Sequence, residues 1–171
     1  ADFFTELQSK GHTEAFTNKV KTPEKIEKVT IEERLKALLE FHLYYYPSSK
    51  NRAVSFQLLL DLCTSKNDAQ CTLTTGKRIL ADPNMSQTRP RAYLEMLKVQ
   101  EELAKADSRL KPDLLTTMAS FLKELPEDPQ WNLIAKKYTA MLIEEKKMKE
   151  ALPYLTTLHK RENSTQSLYR L

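Results

Sequence analysis

At 171 residues the chain has the size of one domain built on one hydrophobic core. Hydrophobic residues at 40% and charged residues at 29% exclude a disordered chain, and two glycines, Gly11 and Gly76, exclude a Gly-rich phosphate loop and a turn-rich β fold. The formal net charge of +4, from 27 basic and 23 acidic side chains, permits nucleic-acid or acidic partners without demanding them.

The chain opens Ala1-Asp2-Phe3, which reads as a mature form or as a segment of a longer protein. Residues 1–29 are weakly patterned. Asp2 can cap a helix to Lys10 that Gly11 ends, Thr13 can start another with Phe16 and Val20 on one face, and Thr22-Pro23-Glu24 reads as a cap followed by proline. Thr30 with Glu33 three residues on forms a capping-box signature. Behind it Ile31, Leu35, Leu38, Leu39, His42 and Tyr46 recur at spacings of three and four until Pro47.

After Ser48 and Ser49, Val54, Phe56, Leu58, Leu59, Leu60, Leu62 and Cys63 cover more than one helical face, which predicts the most buried helix of the chain. A helix from Asp68 to Leu80 comes next and stops at Asp82-Pro83-Asn84. Pro90 opens another, where Ala92, Met96, Val99, Leu103, Ala106 and Leu110 predict a seam against one partner helix. Pro112 opens a helix with Leu114, Leu115, Met118, Phe121, Leu122 and Leu125 inward. Asp128-Pro129 precedes Trp131, Ile134, Ala135, Tyr138, Met141 and Leu142. A polar stretch then leads to Met148, Ala151, Leu152, Leu155 and Leu158, and residues 161–171 read as a frayed tail. Short connections make consecutive helices antiparallel neighbours. The expectation is a single all-α domain over residues 1–171, either stacked antiparallel helical hairpins in a short right-handed solenoid or a compact helical bundle.

Within residues 131–158, Trp131, Ala135, Tyr138, Ala151 and Leu155 resemble the pattern of a tetratricopeptide-type helical hairpin. The resemblance implies that small Ala135 admits the second helix while Trp131 and Tyr138 fill the groove, and that the fold serves protein–protein interaction. The interval from Tyr138 to Ala151 exceeds that pattern by about one helical turn. Pro153 lies inside the second helix, and the remaining chain has no clean 34-residue period.

No chemistry-bearing constellation emerges. His12, His42 and His159 have no second ligand at metal spacing, so no metal or cofactor is expected, and His42 reads as a core or boundary residue. Cys63 and Cys71 would stand about 12 Å apart on one straight helix, so a disulfide requires a turn at residues 65–68. That segment has turn composition. Reduced cysteines in an intracellular protein are nonetheless the favoured reading. The sequons Asn84-Met85-Ser86 and Asn163-Ser164-Thr165 suit the opposite one.

The function expected is a non-catalytic protein-interaction or scaffold module that binds a protein or peptide partner, with Tyr44, Tyr45, Lys136, Lys137 and Lys147 as candidate partner-binding residues. An RNA- or DNA-binding helical repeat is the first alternative, because Lys136, Lys137 and Lys147 could line a phosphate backbone. Tyr44-Tyr45-Tyr46 adds aromatic faces, at least one of them directed inward. A secreted helical ligand or surface protein is the second alternative.

Overall fold

A computed structural model describes residues 30–168, with side chains described through residue 163. The helices expected within residues 1–29 lie outside the described residues. Among the described residues the chain is all-helical and contains no strand. Its α-helices are α1 (Ile31–Tyr45), α2 (Arg52–Ser65), α3 (Ala69–Ala81), α4 (Arg89–Ala106), α5 (Lys111–Glu124), α6 (Trp131–Glu144) and α7 (Met148–Leu168). Short 3-10 turns at Pro83–Met85 and Ser108–Leu110 precede α4 and α5. The chain divides into two compact units, Ala1–Leu62 and Cys63–Leu171, and the division falls inside α2.

In the first unit the capping box forms as the sequence dictates. Thr30 Oγ1 accepts the Glu33 amide at 3.2 Å, and Glu33 Oε2 accepts the Thr30 amide at 2.7 Å. α1 ends at Tyr45, two residues before Pro47. Its inner face carries Leu39, His42, Leu43 and, just past its end, Tyr46. His42 is fully buried, as a core histidine, with Nδ1 2.8 Å from Ser55 Oγ of α2. Arg52 donates to the Leu43 carbonyl at 2.9 Å and stacks over Phe56. The expected stripe is wrong at its start, because Ile31 is 83% exposed and Leu35 is exposed as well. α2 departs in the same way. It buries one face and leaves Val54 and Leu58, one turn apart, outward.

The second unit is built from helices that pack in chain order, α3 on α4, α4 on α5, α5 on α6 and α6 on α7. One apolar cluster runs through it from Tyr93 and Leu97 by way of Met118, Phe121 and Trp131 to Ala151 and Leu158. α5 buries Leu114, Leu115, Met118, Phe121 and Leu122, the face expected of it. The α4 seam is corrected. Ala106 is exposed, Leu110 lies in the following 3-10 turn, and the buried set is Ala92, Tyr93, Met96, Leu97, Gln100 and Ala104. Two adjoining rows replace one seam because α4 has a neighbour on each side, α3 and α5. On the α3 side Gly76 permits close approach: a Cβ there would collide with the Met96 side chain and stand 3.7 Å from the Ala92 carbonyl oxygen. On the α5 side Tyr93 packs edge-on against Phe121, and burial, with a hydrogen bond to Glu124, pushes its hydroxyl up to about 12.

Four helices share a burial spacing that their residue types conceal. Ser55, Phe56, Leu59, Leu60 and Cys63 are buried in α2. The same one–three–one–three spacing holds for Cys71, Thr72, Thr75, Gly76 and Ile79 in α3, for Ala92, Tyr93, Met96, Leu97 and Gln100 in α4, and for Ile134, Ala135, Tyr138, Thr139 and Leu142 in α6. It is the spacing of a helix that buries one broad face.

α2 and α6 also end alike. Asn67 and Lys146 adopt positive φ, 53° and 60°. The Asp68 amide reaches back to the Cys63 carbonyl at 3.0 Å, and the Lys147 amide to that of Leu142 at 2.8 Å. Each is a Schellman motif, the hydrogen-bonded stop that turns a chain sharply out of a helix. α3 starts at once, capped by Asp68, whose Oδ1 accepts the Cys71 amide at 2.9 Å. The two cysteines thereby come to a Cα–Cα distance of 5.4 Å and are joined as a disulfide. The reduced reading is corrected, because the turn at residues 65–68 removes the distance a straight helix would impose.

A further expectation fails in α7. Met148 and Leu152 are exposed, at 57% and 62%, because the face of α7 toward α6 is the one with Ala151 and Leu158. The backbone of α7 is helical to Leu168. Arg161 lies over the Trp131 ring, 4.2 Å from its centroid, and donates to the Pro126 carbonyl at 2.7 Å.

Candidate protein-interaction grooves

α6 is the crest between two grooves of the second unit. Trp131, Ile134, Ala135, Tyr138 and Leu142 hold it inward, and the indole Nε1 donates to the Leu122 carbonyl at 2.9 Å. Lys136 and Lys137, adjacent in sequence, diverge by about 100° around the helix and enter different grooves. The larger groove, about 610 Å³, runs between the end of α4, α5 and α6. Ala104, Leu114, Met118 and Met141 make an apolar floor, and Glu101, Lys105, Lys111, Lys137 and Glu144 contribute charge of both signs. The smaller groove, about 320 Å³, lies between α6 and α7, with Lys136, Ile143, Leu155, His159 and Glu162 along it. Exposed Ala140 borders both, its short side chain leaving the crest low.

Each candidate lysine holds a carboxylate. Lys137 Nζ meets Glu101 Oε1 of α4 at 2.6 Å, and Lys136 Nζ meets Glu162 Oε1 of α7 at 2.7 Å. Lys147 Nζ meets Glu145 Oε2 at 2.6 Å in the turn between α6 and α7. The hydrogen bond from Lys136 holds the Glu162 carboxyl below its ordinary range, and the hydrogen bond that Lys147 donates to Glu145 raises the Lys147 ammonium. The three cations therefore stand as three separate ion pairs and form no continuous row. The side chains of Lys111 and Glu144, which sequence reading did not single out, have no ion-pair or hydrogen-bond partner among the described residues. Their significance depends on the groove they border, for which the local sequence carries no signal.

Tyr44 and Tyr45 lie in the first unit. Tyr44 is 76% exposed and meets Tyr45 edge-on, while Tyr46 supplies the inward ring expected of the triplet. No group of His, Cys, Asp and Glu that could hold a metal ion occurs among the described residues. No described helix is long and apolar enough to cross a membrane. No family model, curated protein or solved structure matches the chain.

Proposed function

We propose that residues 63–171 form a non-catalytic protein-interaction module of stacked helical hairpins, and that the groove along α4, α5 and α6 receives an amphipathic segment of a protein partner. The observation that carries this reading is the groove's composition. Its floor is apolar, its edge carries charge of both signs, and Lys111 and Glu144 remain available for ion pairs with an occupant. The packing of α3 to α7 in chain order, each on the next, supports a hairpin stack, which presents such grooves between successive helices. The likeness of α6 and α7 to a tetratricopeptide-type hairpin fits the same reading, since Ala135 and Ala151 are both fully buried.

A photo-crosslinking residue at Ala140 tests it in extracts of the native source. A protein adduct that is absent with the same group at exposed Lys123, and is lost with Glu144→Lys, supports the groove. Equal labelling at both positions rejects it. A parallel titration with single-stranded and duplex oligonucleotides at two salt concentrations addresses the alternative. Salt-sensitive binding, abolished by charge reversal at Lys136, Lys137 and Lys147 together, replaces the protein partner with nucleic acid.

The disulfide favours a secreted or surface-exposed setting for this module, because such bonds persist in oxidising compartments and are rare in the cytosol. A non-reducing peptide map of native protein that finds Cys63 and Cys71 as free thiols removes that setting.

A further inference from the structure

We infer that Asn84 is an N-glycosylation site. Two independent observations meet there. The first is chemical: Asn84-Met85-Ser86 is an acceptor triplet without proline in its middle position. The second is the disulfide between Cys63 and Cys71, which belongs to the oxidising compartments through which glycoproteins mature.

The placement of the triplet agrees with both. Asn84 and Ser86 are exposed and lie in the connection between α3 and α4, outside either α-helix. The Asn84 backbone amide donates to Asp82 Oδ1 at 3.0 Å, while its side-chain amide has no hydrogen-bond partner among the described residues. Buried Met85 anchors the segment, so a glycan on Asn84 projects from a fixed point without displacing core residues. Asn163, first residue of the other triplet, is also exposed but differs in its backbone and in its side-chain partner. It lies inside α7, and its Nδ2 is 3.0 Å from His159 Nε2.

The step transfers an oligosaccharide from a lipid pyrophosphate donor. A bond forms between Asn84 Nδ2 and the anomeric carbon of the first sugar. The bond from that carbon to the pyrophosphate oxygen breaks, the amide nitrogen loses one proton, and the lipid pyrophosphate leaves. No oxidant or reductant takes part.

Protein isolated from its native source is treated with peptide-N-glycosidase in heavy-oxygen water and mapped by mass spectrometry. The expected result is conversion of Asn84 to labelled Asp, with Cys63 and Cys71 recovered as one disulfide-linked peptide. In eukaryotic cells that secrete the chain, Asn84→Gln and Ser86→Ala each remove one glycan-sized step in gel mobility. Because both side chains are exposed, these variants retain the helical content of the parent. Unmodified Asn84 in the native protein overturns the proposal, whether or not the disulfide is present. A glycan on Asn163 in place of Asn84 overturns it equally.

Discussion

The turns after α2 and α6 use one backbone device but secure the next helix by different means. Each ends a 14-residue helix with a Schellman motif, and each places a residue other than glycine at positive φ. Beyond the first turn, Cys63 is bonded to Cys71, and the Thr75 hydroxyl lies 3.8 Å from Cys63 Sγ. At the place of Cys63, the second helix carries Leu142, and the hairpin is held by packing. Tyr138 meets Tyr154 edge-on, Ala135 and Ala151 are fully buried, and Arg161 closes over Trp131. A covalent staple and an aromatic core thus serve equivalent positions. The staple acts chiefly by limiting the unfolded chain, whereas the aromatic core acts by removing apolar surface from water.

That contrast can be broken most severely at Trp131. Trp131→Ala removes a buried ring, the hydrogen bond to Leu122 and the seat of Arg161, and is expected to cost about 3–5 kcal/mol. Urea unfolding monitored by circular dichroism measures it, and a loss below about 1 kcal/mol contradicts the packing account. The staple comes next. Replacing both cysteines with serine is expected to cost about 2.5 kcal/mol for a loop this short, read from the same unfolding curves. If the packed hairpin is independent of the staple, the two losses add, since distant sites without shared partners couple weakly.

The turns themselves sharpen the comparison. Lysine gains nothing from the left-handed region, so Lys146→Gly is expected to stabilise by about 1 kcal/mol. Asparagine tolerates that region better, and Asn67→Gly is expected to give a smaller gain, with thermal midpoints ranking the two. The smallest effect belongs to Lys137→Ala. Its ion pair with Glu101 is partly exposed, so the change in stability is expected to stay below about 1 kcal/mol. A larger loss would make that pair a structural clamp across the groove.

The helices are legible in the sequence wherever one face meets one neighbour. α5 shows this best, since its buried residues are those its periodicity selects. Periodicity marks which residues are apolar but not which row a neighbour will cover. Ile31, Val54, Leu58, Met148 and Leu152 therefore read as core and stand exposed, and α4, with a neighbour on each side, reads as a single seam. The recurring burial pattern is hidden for a different reason. Equivalent positions exchange size, with Phe56 in α2 standing where α6 has Ala135, so the spacing persists while residue identity does not. At the grooves, the exposure of the lysines is readable. The pairing of Lys137 with Glu101, 36 residues away, is not, because the fold alone brings those side chains together.

Arg161 carries a consequence for how the second unit opens. Its guanidinium grips the loop before α6 through the Pro126 carbonyl and covers the ring that starts α6, from a position in the second half of α7. The end of α7 therefore cannot peel away without also loosening the start of α6. In hydrogen exchange these segments should behave as one foldon: amides late in α7 and early in α6 should share an opening free energy and a denaturant dependence, and Arg161→Ala should separate them.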